Sequence, residues 1–124
     1  MSTLKVDQVL DSKGSQTNPP SIPGLNPQLC KAWVNINGVG TLVMRAQYNV
    51  SGVTDNGPGD YTVNLTSSLD NINFAVVMTA SDGNANAAEQ FTFRTTSSIR
   101  TDVRTANTST GLDVSSVNVA IFAN

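Results

Sequence analysis

Histidine is absent from this 124-residue chain, and cysteine occurs once, at Cys30. Without histidine, one copy of the chain cannot build a Ser-His-Asp or Cys-His arrangement or a histidine-ligated metal site. A single cysteine excludes an intrachain disulfide, a zinc ribbon and a CxxC redox centre. We therefore expect no cofactor and no metal ion.

Charge is also scarce. Charged residues make up 13% of the chain, against a usual share of about 25%. The seven basic residues are spread from Lys5 to Arg104 and the net charge is −2, so no basic stripe is available for nucleic acid or an anionic membrane. No apolar run approaches the ~18 residues of a membrane span, and the opening MSTLKVDQVL lacks the apolar core of a signal peptide. We expect a soluble product made in the cytoplasm, with no nucleic-acid partner and no membrane insertion.

The uncharged residues that are abundant in place of charged ones favour β-structure. Thr, Asn and Ser together occupy a third of the chain, Val is frequent, and Glu occurs only at Glu89. Thr and Val favour strands and Asn, Ser and Gly favour turns, whereas helix surfaces depend on Glu, Lys, Gln and Arg. This composition excludes a helical bundle, a coiled coil and a doubly wound α/β enzyme.

From Cys30 onward, apolar residues recur at every second position, as in strands. The pattern predicts strands over residues 32–36, 42–50, 61–65, 74–78, 91–96, 99–105 and 112–122. Turns are expected at Asn37-Gly38 and over 55–60, and a change of apolar phase predicts a β-bulge near Ser115-Ser116. Three aromatic residues on inward phases are expected in the core: Phe74, Phe91 and Phe93. The sequence therefore predicts an all-β fold, an antiparallel β-sandwich of six to seven strands over residues 30–124.

Residues 1–29 have a different composition. They include four of the five prolines, which remove backbone donors and favour an extended, polyproline-like course. Two interpretations remain open, a disordered tail or an extended arm that docks on a partner. The docking arm gains weight because the segment carries little charge and several apolar residues. Those that we predict to dock are Leu4, Val6, Val9 and Leu10.

The predicted strands carry more apolar side chains than one core requires. Trp33 is out of phase with its apolar neighbours, so it could contact another subunit, stack on a sugar or cover the outer face of its strand; subunit contact or covering is favoured over a ligand. A domain of this length buries only about two thirds of its unfolded surface, so surplus apolar positions are liabilities in a monomer and assets in an oligomer. The predicted subunit-interface residues are Trp33, Val43, Arg45 and Val77.

Catalysis is not expected. A glycan hydrolase needs two carboxylates at a fixed separation, but most acidic residues here lie in predicted turns, where Asp bonds nearby backbone N–H groups. Asp55 and Asp60 flank a glycine-containing segment that is faintly similar to a calcium loop. The segment lacks the alternating acidic ligands and terminal Glu of such a loop, so a hairpin turn is the favoured interpretation. We expect that the chain is not an enzyme.

Residues 30–65 resemble a motif of bacteriophage tail fibre and receptor-binding proteins, usually found near their C-termini. The segments that carry the resemblance are Ala32-Trp33-Val34-Asn35, Arg45-Ala46, Tyr48-Asn49-Val50, Thr54-Asp55-Asn56-Gly57 and Gly59-Asp60-Tyr61-Thr62-Val63-Asn64. The ending Val117-Asn118-Val119-Ala120-Ile121-Phe122 and the opening STLKVDQVLDSKG are similar to segments of short virion fibres. The resemblance implies a virion protein, typically a homotrimer, with an N-terminal arm that fixes it to the particle and a β-domain that points outward.

Residues and resemblance together predict a short trimeric tail fibre or spike located in the virion. Its expected partners are copies of itself, other virion proteins through residues 1–29, and a host-surface glycan or protein through the 82–88 and 105–111 loops. The predicted receptor residues in these loops are Asn84, Asn86, Asn107 and Ser109. Because such fibres usually carry a long shaft before this domain, the alternative is a capsid decoration or adaptor protein that binds only other virion proteins. A free-standing lectin or a glycan hydrolase is a more distant third.

Overall fold

Eight strands and one short turn of 3₁₀ helix make up the computed structural model, which describes residue 2, residues 26–81 and residues 87–123. The 3₁₀ turn spans Asn26–Gln28. The strands are β1 (Cys30–Asn37), β2 (Val43–Tyr48), β3 (Val50–Gly57), β4 (Asp60–Leu65), β5 (Ala75–Ser81), β6 (Ala87–Arg94), β7 (Ser98–Thr105) and β8 (Ser116–Phe122).

The strands form two four-stranded antiparallel sheets. The first sheet has the order β2-β1-β8-β5 and the second has the order β3-β4-β7-β6. The prediction of an all-β antiparallel sandwich is confirmed. The described residues contain eight strands, where six to seven were expected, because the strand predicted over 42–50 ends at Tyr48 and β3, over Val50–Gly57, was not predicted.

The core lies between the two sheets and is filled by alternate side chains of their strands. In β4, Tyr61, Val63 and Leu65 are buried while the residues between them are partly exposed. β1 and β8 alternate in the same way. The largest fully buried side chains besides Tyr61 are Ile36, Ile99 and Ile121. The two-residue period therefore places one apolar row of each strand between the sheets.

Asn49 forms the corner at which the chain passes from the first sheet to the second. Its φ is 55°, in the left-handed region that Asn tolerates better than most residues. Its side-chain Nδ2 donates to the carbonyl oxygens of Lys31 at 3.1 Å and Ser67 at 3.2 Å, and its Oδ1 accepts from the Ser67 N–H at 2.8 Å. One side chain thus joins β1, the corner and the connection after β4.

The turn expected over 55–60 is shorter than predicted. β3 continues to Gly57, and only Pro58 and Gly59 form the turn. Outward side chains of β3 bond to β4: the Asn56 amide Nδ2 donates to the Thr62 hydroxyl at 2.8 Å. Cross-strand side-chain bonds of this kind stabilise a strand whose composition is typical of a turn.

The bulge predicted near Ser115-Ser116 is also wrong. β8 begins at Ser116, and residues 112–115 precede it outside any strand, so the change of apolar phase reflects the start of the strand. Register shifts occur instead between Asn35 and Ile36 in the β1–β2 pairing and between Phe91 and Phe93 in the β6–β7 pairing.

The register shift between Phe91 and Phe93 changes the position of one of the three aromatic residues predicted in the core. Phe74 is buried as expected, at 5% exposure. Phe93 is 61% exposed and opposes Arg100, because the register shift before it turns its side chain to the outer face. The side chain of Phe91 lies outside the described part of the chain.

Strand directions give the domain two distinct ends. We call the arm end the one at which β1 begins at Cys30; the same end holds the corner at Asn49 and the 66–74 and 95–97 connections. We call the loop end the opposite one. It holds the 38–42 connection, the Pro58-Gly59 turn and the 106–115 segment, and β5 ends and β6 begins there.

Candidate functional site

The outer face of the first sheet carries a continuous row of apolar side chains across all four strands. Trp33 of β1 opposes Tyr48 of β2 on one side and Ala120 of β8 on the other, and Ala120 opposes Val77 of β5. Trp33 is 40% exposed, Tyr48 39% and Val77 54%. We call these four residues the apolar row.

The row encloses a shallow groove of about 220 Å³. Ala120 lies between the larger Trp33 and Val77, so the groove runs over its methyl group between two apolar walls. Towards the loop end the groove is bordered by Asn35, Asn118 and Thr79. A hollow of this shape accepts an apolar side chain from another molecule without any rearrangement of the sheet.

Beside the apolar row lies a row of neutral polar side chains, which we call the amide row: Asn35, Asn118 and Thr79. The Asn35 amide Nδ2 donates to Asn118 Oδ1 at 2.5 Å, and the Asn118 Nδ2 donates to the Thr79 hydroxyl at 3.2 Å. Because these groups bond to one another across three strands, the border of the apolar row is fixed and carries no formal charge.

The outer face of the second sheet has the opposite character. Arg100 of β7 donates to Asp60 of β4 through Nε at 2.8 Å and Nη2 at 2.5 Å, and Arg104 donates through Nε to Asp102 at 2.7 Å. The hydrogen bond from the Arg100 guanidinium holds the pKa of the Asp60 carboxyl below its ordinary value. This face bears two ion pairs in which both arginines are about half exposed and Asp102 is buried, so of the two faces the first sheet's is the one suited to apolar contact.

The predicted subunit-interface residues divide into two groups. Trp33 and Val77 meet on the apolar row. Val43, at 47% exposure, opposes Asn37 near the loop end. Arg45 is exposed near the same end, where its Nη1 donates to the Ser115 carbonyl oxygen at 2.6 Å.

Sequence reasoning missed Tyr48 and Ala120 as members of the row. Tyr48 shares a sequence phase with Met44, but the register shift in the β1–β2 pairing places Tyr48 on the outer face. Ala120 belongs to the row only because β8 lies between β1 and β5. Neither the register shift nor the strand order can be read from the alternation of apolar residues along a single strand.

Of the two predicted receptor segments, 105–111 lies at the loop end. Thr105 of β7 opposes Ala87 of β6, so the 105–111 segment adjoins the start of β6. Asn107 and Ser109 are exposed, and Ser109 has a φ of 53°. Asn84 and Asn86 lie outside the described residues, as do the predicted docking residues Leu4, Val6, Val9 and Leu10.

A cluster at the loop end joins β4 and the turn before it to the segment that precedes β8. The Tyr61 hydroxyl, on a fully buried residue, donates to Asp113 Oδ1 at 2.9 Å, and the Gly59 N–H donates to the same oxygen at 2.8 Å. Burial, reinforced by this carboxylate, raises the pKa of Tyr61. A Cβ at Gly38 would overlap the Tyr61 hydroxyl, and one at Gly59 would overlap a backbone carbonyl oxygen of β7. These contacts fasten the segment before β8 to the sandwich, which is a stabilising role.

Among the described residues no three Cys, Asp or Glu side chains come together as metal ligands, and no helix there is long and apolar enough to cross a membrane. The class defined by fold and surface is an antiparallel β-sandwich with the apolar row on one outer face and two ion pairs on the other. No protein-family model, curated protein or solved structure matches the chain.

Proposed function

We propose that the chain is a structural protein of a phage virion, a short fibre or spike that self-associates as a homotrimer through the apolar row. In this proposal residues 1–29 attach it to the particle and the loop end faces the host surface. The observation that carries the proposal is the apolar row itself, with Trp33 40%, Tyr48 39% and Val77 54% exposed on one sheet face. Large apolar side chains that stay exposed together on one face are suited to burial against another protein.

The two ends of the domain support the proposed orientation. Residues 1–29 join β1 at the arm end, whereas the predicted receptor segment 105–111 lies at the loop end. The apolar row is nearer to the arm end than the amide row is, since Trp33 precedes Asn35 along β1. Copies that associate through the row would therefore keep the loop end free.

The residues that carry the resemblance to phage fibres differ in what they contribute to the fold. Asn49 makes the corner between the sheets, Tyr61 bonds to Asp113, and Asn56 joins β3 to β4. Trp33 instead leaves 40% of its surface exposed on a sheet face. A partner that covers Trp33 explains the presence of so large an apolar side chain in this segment.

Oligomeric state and virion binding test the proposal directly. Light scattering of the purified chain is expected to give three times the 13.0-kDa chain mass. The wild-type chain should bind particles of the phage that encodes it and cells of its host, and should compete with infection. A variant with Leu4, Val6, Val9 and Leu10 replaced by Ser should remain a trimer that binds cells and should lose binding to particles.

Other results separate the alternatives. Binding to phage heads without binding to cells or interference with infection would favour a capsid decoration protein. A monodisperse monomer at micromolar concentration, together with no binding to particles, would overturn the proposal.

A further inference from the structure

A polar pocket of about 180 Å³ lies at the loop end, at the border of the second sheet's outer face. Its walls come from the start of β6, the end of β7 and the turn that follows β7. The lining residues are Ala88, Glu89, Gln90, Arg104, Thr105, Ala106 and Ser109. It therefore joins the two segments that the sequence singled out as receptor loops, in a position that the apolar row leaves uncovered.

The turn that closes the pocket is held by its own hydrogen bonds. The Thr105 N–H donates to the Thr110 carbonyl oxygen at 2.9 Å, and the Ser109 N–H donates to the Thr105 carbonyl oxygen at 3.0 Å. The hydroxyls of Thr105 and Thr108 are also in contact. Because the backbone of this wall is fixed by these bonds, a ligand would meet polar groups that are already in place.

Donors and acceptors both line the pocket. The Arg104 guanidinium is oriented by Asp102 at 2.7 Å and by the Ser109 carbonyl oxygen at 3.4 Å, and it retains further N–H groups for a ligand. The Gln90 amide supplies both an acceptor and donors. The Glu89 carboxylate is directed away from Arg104 and Gln90, since Glu89 opposes the buried Val103 and its Oε1 accepts from the Ala80 N–H of β5 at 2.9 Å.

Charge and size restrict the class of ligand. Asp102 neutralises Arg104, so the pocket does not favour a polyanion. None of the described residues that line it is aromatic, which argues against a stacked base or an aromatic ligand. Its volume is below the ~300–1,000 Å³ of sites for drug-sized ligands and corresponds to about six water molecules. A single neutral sugar ring, with hydroxyls that both donate and accept, matches these properties.

We propose that this pocket binds one neutral sugar unit of a host-surface glycan, an inference that rests on the proposed fibre function for the source of the glycan. Gln90 and Arg104 are the residues expected to bond to its hydroxyls. A single site of this size is expected to bind a monosaccharide weakly, with a dissociation constant of about 1 mM or above. Several copies of the site in one oligomer would raise the avidity.

The test is an NMR titration of the full chain with the methyl glycosides of glucose, galactose and N-acetylglucosamine. At least one is expected to shift the backbone amides of residues 88–90 and 104–109 in a saturable manner. Gln90→Ala and Arg104→Lys should each weaken that binding by about fivefold, the effect of losing one hydrogen bond. Arg104→Lys keeps a cation beside Asp102, so the fold is retained.

The matched control is Arg100→Lys, because Arg100 lies on the same strand, is also ion-paired and does not line the pocket. It should leave sugar binding unchanged. Shifts centred on Trp33, with a change in its fluorescence, would place the sugar on the first sheet and overturn the proposal. So would the absence of shifts with every glycoside, or host-cell binding that survives periodate oxidation of glycans and is abolished by protease.

These outcomes are distinct from failure of the fibre function. A trimer that binds virions but no sugar would overturn only the pocket. A monomer that binds sugar at residues 88–90 and 104–109 without binding virions would overturn the fibre function and leave the pocket intact.

Discussion

Replacing Val77 with Lys tests whether the apolar row is the surface at which copies meet. Trp33 and Tyr48 each leave about 40% of their surface exposed. An aromatic side chain has ~150–250 Å² of surface, so the exposed area of the pair is roughly 160 Å². At ~25 cal/mol per Å², its burial contributes about 4 kcal/mol per copy. Val77 is 54% exposed beside them, so a Lys there extends from the same position with little change to the core.

In a complex, that ammonium would be buried on the row without a carboxylate partner, since the neighbouring amide row is neutral. Burying an unpaired charge costs several kcal/mol. We therefore expect Val77→Lys to weaken self-association by about 3 kcal/mol or more, which is at least roughly 100-fold in the dissociation constant.

Sedimentation equilibrium measures this change, and the fluorescence of Trp33, the single tryptophan, reports whether the row is covered. On dilution the wild-type emission should shift to the red as copies separate, while Val77→Lys should show the shifted emission at all concentrations. Phe93→Lys is the matched control, because Phe93 is 61% exposed on the outer face of the other sheet. A Val77→Lys trimer as stable as wild type, or dissociation caused by Phe93→Lys instead, would refute the reasoning.

Three further predictions concern the cluster of Tyr61 and Asp113 and the turn at Gly59. Tyr61→Phe removes the bond to the Asp113 carboxylate and should lower the free energy of unfolding in urea by about 1.5–3 kcal/mol, whereas Tyr48→Phe should change it by less than about 0.5 kcal/mol. Burial raises the pKa of Tyr61 from its ordinary 10.0. The stabilisation by its neutral hydroxyl is therefore complete below pH 10 and is lost at more alkaline pH. Above pH 10 the melting temperature should fall, and it should fall less in Tyr61→Phe. Gly59→Ala should lower stability by about 3 kcal/mol or more, through a clash with backbone added to the strain of its φ of 71°. Gly40→Ala, at the same φ with open space around it, should cost only about 1–2 kcal/mol; equal losses at the two glycines would contradict the close packing at Gly59.

The fold class could be predicted because alternate residues of several strands face the core. Ala32, Val34 and Ile36 in β1 follow the same rule as Tyr61 and Val63 in β4, and all of them are buried. One buried face per strand is a local property that a sequence displays directly.

β3 was missed because its stability depends on pairing. Between Ser51 and Gly57 only Val53 packs against the core, and the Thr-Asp-Asn-Gly segment is typical of a turn. The strand forms because β4 lies beside it and bonds to its outward side chains, as Asn56 shows. Such tertiary support leaves little signal in the segment itself.

The candidate surface could be predicted only in part. Trp33 and Val77 were identified correctly as outward apolar residues from their phase. Their meeting across Ala120 depends on the order β1-β8-β5, which no local pattern specifies. The position of Tyr48 depends on the register shift opposite Asn35 and Ile36, a property of the paired strands rather than of either alone.

The insertion of β8 between β1 and β5 also determines when the proposed association surface exists during synthesis. Asn35 and Asn118 bond across 83 residues of chain, whereas the whole second sheet is made from residues 50–105. While β8 is still within the ribosome, the nascent chain can pair the strands of the second sheet but has no Ala120 to connect Trp33 with Val77. Neighbouring nascent chains on one messenger RNA would thus lack a finished surface for assembly until β8 has emerged from the ribosome.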